Sequence, residues 1–186
     1  MTPDRIFTVG HSTRSLEAFL EILQAHGVKR LIDVRSSPRS RHNPQFNAEV
    51  LPRSLSQAGI EYTLSPLLGG LRHTRKDSPN SGWRNASFRG YADYMQTAEF
   101  EAGLAQLLRV GATEQGVLMC AEAVPWRCHR WLIADALQVR GIAVEHILSK
   151  TRRQAHALTH FAKVQGTQLT YPTEDHAESP QAGKPG

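Results

Sequence analysis

The strongest constraint on the fold is an alternation of short apolar runs with amphipathic helical patterns. Residues 6–10 (IFTVG) are rich in side chains that favour β-structure, and residues 16–23 then carry leucine and phenylalanine at spacings of three and four. Ser15 is a suitable N-cap for this helix, and Gly27 ends it. Residues 30–35 (RLIDVR) predict a second, buried strand. Strand, helix and strand in this order are typical of a parallel crossover unit.

The same alternation continues along the chain. Further strands are predicted over residues 60–64, 116–120 and 143–148, the last being the final clear strand, and helices over 49–57, 91–108 (with a break near Thr97) and 128–140. Residues 66–90 predict a long loop, because glycine, proline and small polar residues interrupt every period. The pattern predicts an α/β fold with a mainly parallel open sheet flanked by helices, a Rossmann-like three-layer arrangement, in a single domain over residues 1–172. Residues 173–186 have little to bury, so we expect a disordered tail.

Composition excludes several classes of protein. No apolar run reaches the roughly 20 residues that span a bilayer, and no signal-peptide core follows Met1. We therefore expect a cytoplasmic protein that does not act at a membrane. In a reducing compartment, two cysteines favour thiols or metal ligands over a structural disulfide, although a redox pair stays open.

Positive charge is concentrated in one part of the chain. Residues 35–89 carry nine basic and three acidic side chains, a net charge of +6, whereas the whole chain has +5. Eight of the nine basic residues are arginine, whose planar guanidinium suits phosphate and carboxylate. The segment indicates an anionic partner, either a nucleotide or a nucleic acid, and the alternative is a solvated basic surface.

Polar residues follow the ends of the predicted strands. His11 follows the first strand, Arg35 ends the second, Gly69 and Gly70 come after the third, and Cys120 ends the fourth. Ligands of open parallel sheets lie beyond the carboxyl ends of the strands. We therefore expect these residues to line one pocket.

The densest group of reactive side chains lies between residues 118 and 130. Cys128 is predicted near the first turn of a helix, where unpaired N–H groups and neighbouring cations stabilise a thiolate, so it is a candidate nucleophile. The other catalytic candidates are His11, Glu122 and His129, and each could instead have a structural role. The substrate-binding candidates are Arg35, Arg39, Arg41, Gly69, Gly70, Arg127 and Arg130.

Two alternatives use the same residues differently. Cys120 and Arg127, separated by six residues, resemble the cysteine and arginine of rhodanese and tyrosine-phosphatase loops, but Glu122 and Pro125 in the loop disfavour anion binding by its amides. Alternatively Cys120, Cys128 and His129, with Glu122 or His11, could bind zinc or iron. The spacing matches no standard metal motif, and adjacent residues of a helix rarely bind one ion. The sequence itself requires no cofactor.

Several separate motifs resemble those of one protein family. They are segments 8–12 (TVGHS), 33–35 (DVR), 38–40 (PRS), 44–47 (PQFN), 68–70 (LGG), 88–91 (FRGY), 119–122 (MCAE) and 128–130 (CHR). Together they resemble the domain of unknown function 488 family over about residues 6–148. The resemblance implies a single cytoplasmic α/β domain, mainly in bacteria and archaea, and it implies no reaction. The loose description of some members as DNA-repair proteins is weak support for a nucleic-acid partner.

The leading hypothesis from the sequence is an enzyme, a hydrolase or a transferase, that acts on a phosphate-bearing substrate such as a nucleotide or nucleic acid. Arginines would hold the anion, with His11 and Glu122 as acid/base groups and Cys128 as nucleophile. The competing hypothesis is a non-catalytic module that binds nucleic acid through the basic segment. Further alternatives are a rhodanese- or phosphatase-like cysteine enzyme and a metal-dependent hydrolase.

Overall fold

A computed structural model describes residues 2–112 and 114–174. Its main sheet has six strands in the order β3-β2-β4-β1-β5-β6. The strands are β1 (Arg5–Gly10), β2 (Arg30–Asp33), β3 (Glu61–Leu64), β4 (Gly116–Cys120), β5 (Ala143–Ile147) and β6 (Arg153–Ala155). The first five run parallel and β6 is antiparallel to β5. The predicted mainly parallel sheet is confirmed.

Five helices cover the two faces of this sheet. They are α1 (Leu16–Ala25), α2 (Leu51–Gln57), α3 (Ala86–Tyr94), α4 (Ala98–Gly111) and α5 (Arg130–Gln138). Side chains of α1 and α2 pack with Phe7 and Val9 of β1, whereas α3, α4 and α5 pack with Ile6, whose side chain points to the opposite face. The fold therefore has the three layers that the sequence predicts.

The ends of α1 show how local sequence sets an element. Ser15 is extended and its hydroxyl accepts a hydrogen bond from the Ala18 N–H, which confirms it as the N-cap. Phe19, Ile22 and Leu23 face the core. The chain then turns at Gly27, whose φ of +65° favours glycine.

Three predicted boundaries are wrong, and one predicted break is confirmed. The long loop ends earlier than expected, because Asn85 caps α3 by accepting hydrogen bonds from the N–H groups of Ser87 and Phe88. The break expected near Thr97 separates α3 from α4, and Thr97 caps α4. The helix expected from Cys128 begins at Arg130. The strand over 143–148 is followed by β6 and by a hairpin of β7 (Lys163–Gln165) and β8 (Gln168–Thr170).

The predicted disordered tail falls mostly outside the described residues. Of its members, Thr173 is described and donates its N–H to the Ser81 hydroxyl, while residues 175–186 lie outside. Within the described ranges, no helix has the length and apolar character needed to cross a bilayer.

Candidate functional site

A cavity of about 650 Å³ opens at the carboxyl ends of β1, β2 and β4. It is lined by His11, Ser12, Thr13, Arg35, Ser36, Ser37, Asn43, Gly70, Leu71, Asn85, Ser87, Phe88, Tyr91, Cys120, Ala121, Glu122, Ala123, Arg127, Cys128 and His129. The structure thus brings together residues from four of the predicted strand ends. This placement is the one expected for ligands of a parallel α/β sheet.

Arg35 is held at the cavity wall by a buried ion pair. Its Nε and Nη2 donate to the two carboxylate oxygens of Asp33 at 2.9 and 2.7 Å, and Nη2 also donates to the Phe46 carbonyl. Tyr62 donates its hydroxyl to the same carboxylate at 2.7 Å. The guanidinium is therefore fixed before any ligand arrives.

His11 completes the support of Arg35. Its Nδ1 lies 2.7 Å from the Ser12 carbonyl and its Nε2 lies 3.3 Å from Arg35 Nη1, so the ring donates through Nδ1 and accepts through Nε2. The ring stacks on Phe46 at 4.3 Å. Burial lowers the pKa of His11 to about 4, and the Arg35 charge acts in the same direction. A neutral imidazole with both nitrogens engaged positions Arg35 and is not free to exchange protons with a ligand.

The floor of the cavity holds a group that we call the thiol–imidazole cluster: Cys120, Cys128 and His129. His129 donates its Nε2–H to the Val34 carbonyl at 2.9 Å, which leaves the lone pair on Nδ1. That Nδ1 lies 3.7 Å from the Cys128 sulfur and 4.0 Å from the Cys120 sulfur. The Tyr91 ring packs against the imidazole with 4.9 Å between ring centroids. This contact and the hydrogen bond to Val34 together fix the orientation of the imidazole.

The two sulfurs of the cluster have different environments. A hydrogen bond from Cys120 lowers the pKa of Cys128 to about 7, and the Arg130 charge and N–H assist. The same hydrogen bond, together with burial, raises the pKa of Cys120 to about 12. Cys128 lies before α5 in extended backbone, so its stabilisation comes from Cys120 and Arg130, not from a position within the helix as predicted. Cys120, the residue that the rhodanese-like alternative needs as a thiolate, is the protonated partner.

Glu122 stands at the mouth of the cavity on the loop after β4. Its side chain is exposed, and one carboxylate oxygen accepts the Val124 N–H at 3.2 Å. Gly10 packs beneath this loop so closely that a Cβ there would lie 1.8 Å from the Glu122 carbonyl oxygen. The missing side chain at Gly10 is what allows the loop to lie against β1.

Arg130 is not at the cavity surface, contrary to its expected role in substrate binding. It is 1% exposed and donates to the carbonyls of Glu122 and Ala123. Its position on the inward face of α5 explains this, because the helix directs it toward the loop backbone. Arg130 therefore holds the loop that carries Glu122.

The other predicted substrate-binding residues fall into two groups, those that line the cavity and those that do not. Arg127 is exposed and lines the cavity, as does Gly70, which packs on the His129 ring. Arg39 points into solvent beside Glu49, and neither it nor Arg41 is among the lining residues. Gly69 packs against Ser36 behind the wall. Charge alone did not separate the arginines of the cavity from those of the surface.

Some lining residues were not among the predicted site residues. Ser12 and Leu71 have positive φ values of 54° and 59°, a conformation that costs energy in residues other than glycine. Leu71 is also 79% exposed at the cavity rim. Phe88 and Tyr91 enter the wall because α3 begins earlier than predicted. The motif at residues 88–91 and the Asn85 cap are the sequence signals that could have found them.

Comparison with known proteins gives one match. The family described as domain of unknown function DUF488 matches residues 15–137, about two thirds of the chain. The match includes Arg35, Gly70 and the whole thiol–imidazole cluster, and it is narrower than the resemblance over residues 6–148. Neither a search of curated proteins nor a search of solved structures found a match. The chain belongs to the DUF488 family.

Proposed function

We propose that this protein is an enzyme that acts on a phosphate-bearing substrate, such as a nucleotide, in the cavity at the carboxyl ends of β1, β2 and β4. One observation carries the proposal: two guanidinium groups, a carboxylate and the thiol–imidazole cluster line the same cavity. Titratable groups that converge in a concave site are the usual composition of an active site.

The two arginines supply complementary parts of an anion site. Arg35 has five N–H donors, of which Asp33, Phe46 and His11 occupy four, so one donor on Nη1 is left at the cavity wall. Arg127 forms no salt bridge within residues 2–112 and 114–174, and its side chain is exposed. A fixed guanidinium beside a free one favours a phosphate that is partly enclosed and partly in solvent.

Glu122 is the group placed to move protons. It lines the cavity, it is exposed to solvent, and its backbone is fixed by Arg130 and by the close packing of Gly10. A carboxylate that is held by its backbone but free at its side chain can serve as a general acid or base. His11, by contrast, has both ring nitrogens engaged.

Binding of inorganic pyrophosphate and of nucleoside monophosphates, measured by calorimetry, tests the anion site. Arg127→Gln removes one charge-assisted contact, worth about 1.5–3 kcal/mol, so we expect affinity to fall by about 10- to 100-fold. Arg41→Gln is the matched control, since it removes the same charge from an exposed residue outside the cavity. Equal losses in both variants would contradict a localised site.

Turnover of phosphomonoesters, phosphodiesters and nucleotides, followed by ³¹P NMR, tests catalysis. Loss of a general acid or base costs about 100- to 10,000-fold, so Glu122→Gln should lose activity by that factor while it binds pyrophosphate at least as well as the wild type. A protein that binds single-stranded oligonucleotides, turns over none of these compounds, and weakens equally with Arg39→Gln and Arg127→Gln would instead be a nucleic-acid-binding module.

A further inference from the structure

The thiol–imidazole cluster has the composition and geometry of a metal site. We propose that Cys120, Cys128 and His129 bind one Zn²⁺ ion and leave its fourth position open to the cavity. Their donor atoms already lie within 4.8 Å of one another. The proposed metal binding is argued from the geometry of the cluster alone, whereas a catalytic role for the metal rests on the proposed function.

The distances are close to those that zinc requires. Bond lengths of about 2.3 Å to sulfur and 2.0 Å to nitrogen, at tetrahedral angles, give roughly 3.6 Å between sulfur and nitrogen ligands. In the structure, Nδ1 of His129 lies 3.7 Å from one sulfur and 4.0 Å from the other. Movements of a few tenths of an ångström would bring both sulfur–nitrogen distances to this value, and the two sulfurs lie within 4.8 Å of each other.

The contacts around His129 favour its role as a metal ligand. The Val34 carbonyl accepts the Nε2–H of His129 and so directs the Nδ1 lone pair at the sulfurs. Metal-ligating histidines are commonly oriented in this way, with the distal N–H bonded to a carbonyl or carboxylate. Tyr91 and Gly70 pack on the same ring and hold it in place.

The local backbone conformation also allows the adjacent residues Cys128 and His129 to bind one ion, which the sequence disfavours. Adjacent residues within a helix point in different directions, which disfavours Cys128 and His129 as joint ligands. Both residues precede α5: Cys128 is extended, with φ −128° and ψ 147°, and His129 is the N-cap. The change of backbone conformation between them allows both side chains to face Cys120.

The donor types select the ion and the open position suggests its use. Two sulfurs and one imidazole suit zinc, whereas magnesium and calcium require oxygen ligands.

Structural zinc sites have four protein ligands, and catalytic sites keep one position for water or substrate. On binding, two sulfur–zinc bonds and one nitrogen–zinc bond form, and the thiol protons pass to solvent. With the proposed function, zinc would polarise a phosphoryl oxygen or a water molecule beside Glu122.

Titration of the metal-free full-length protein with Co²⁺ tests the site without any substrate. We expect one equivalent to produce thiolate-to-cobalt charge-transfer bands and the visible bands of tetrahedral cobalt, both abolished by one equivalent of Zn²⁺. Cys120→Ser, Cys128→Ser and His129→Gln should each weaken binding at least 100-fold, with circular dichroism confirming that they are folded. His129→Cys supplies a third thiolate and should retain stoichiometric binding. Glu122→Gln, which alters the same cavity but no ligand, should leave the cobalt spectrum unchanged.

The outcomes separate the two proposals. Absence of charge-transfer bands in the wild type, or bands that persist in both serine variants, would overturn the metal site and leave the pyrophosphate measurements unaffected. Stoichiometric zinc in a protein that binds no pyrophosphate and turns over no phosphate compound would sustain the metal site and overturn the proposed function.

Discussion

Two histidine-containing clusters involve α5, one at its N-cap His129 and one at Asp135 within it, and they differ in how completely their hydrogen bonds are satisfied. In the thiol–imidazole cluster, the Nδ1 of His129 faces only sulfur, at 3.7 and 4.0 Å. In the second, buried cluster, Thr8 lies 2.7 Å from His146, His146 lies 3.0 Å from His156, and His156 lies 2.7 Å from Asp135. We call this second group the closed network.

The closed network has one consistent direction of hydrogen bonding. Arg130 donates to the Thr8 hydroxyl, Thr8 to His146, His146 to His156 and His156 to Asp135. Asp135 also accepts hydrogen bonds from the hydroxyls of Thr159 at 2.6 Å and Tyr171 at 2.8 Å. Every histidine nitrogen in it has an oxygen or nitrogen partner, and the network does not line the cavity. The comparison teaches that saturation of hydrogen bonds, more than residue type, distinguishes a core histidine from a candidate ligand.

The largest effect on stability is expected from removing the acceptor of the closed network. Asp135→Ala leaves three buried side-chain donors without a partner: those of His156, Thr159 and Tyr171. Each such donor costs about 1–3 kcal/mol, and because the donors are neighbours the costs do not add fully, so we expect a loss of about 3–5 kcal/mol. Urea denaturation measures it. Asp77→Ala, an exposed partner of Arg75, should change stability by less than about 0.5 kcal/mol, and similar losses in the two variants would remove the distinction.

A smaller effect on stability is expected where the loop after β4, which carries Glu122, packs against β1. A methyl group in Gly10→Ala would lie 1.8 Å from the Glu122 carbonyl, so the loop must move. Such overpacking typically costs about 1–3 kcal/mol. Because Arg130 joins this loop to Thr8, we expect the variant to disturb both clusters: cobalt affinity and the urea midpoint should fall together. Gly116→Ala is a matched control, since its methyl group would meet nothing closer than 3.5 Å.

Much of this arrangement follows from patterns within short segments. Periodicity predicted the parallel strands. The positions of His11, Arg35, Gly70 and Cys120 at strand ends predicted that they share a cavity, because parallel strands present their carboxyl ends at one edge, whereas Gly69 lies behind the cavity wall. His146, within the strand predicted over residues 143–148, is completely buried. These predictions depend only on residue type and spacing.

The rest depends on contacts between distant segments. Arg127 and Arg130 are three residues apart and of the same type, yet one faces the cavity and the other is buried, because α5 begins only at Arg130. The pairing of His11 with Arg35 joins two strands, which no local pattern shows. Every residue of the three-residue strands β6 and β7 is exposed, so they lack the apolar alternation that would mark them.

The stability that the closed network provides should depend on pH, because His146 titrates. Burial lowers the pKa of His146 to about 3, and the neighbouring charge of Arg130 acts in the same direction. The network is therefore stabilising while His146 is neutral. Below the unfolded-state pKa of about 6.5, the unfolded chain takes up a proton that the folded protein does not, so stability falls as pH decreases toward 3.

The slope is at most about 1.4 kcal/mol per pH unit for this one proton. Urea denaturation of metal-free protein between pH 7 and 4 measures it without a contribution from metal release. His146→Gln should be less stable than the wild type at pH 7 and lose stability less steeply toward pH 4. Parallel curves for the two proteins would show that another group causes the acid sensitivity.

The smallest effect on stability is expected at Glu122, and this expectation separates the cavity from the closed network most sharply. Its side chain is exposed and accepts one hydrogen bond, from the Val124 N–H, which the carbonyl oxygen of glutamine can also accept. Glu122→Gln should therefore change the free energy of unfolding by less than about 0.5 kcal/mol, while turnover falls by at least 100-fold. A residue whose removal costs activity but not stability acts on the ligand, whereas Asp135 acts on the fold. A loss above about 1 kcal/mol in Glu122→Gln would mean that the loop is held by this carboxylate and not by Arg130 and Gly10, and Glu122 would then be structural as well.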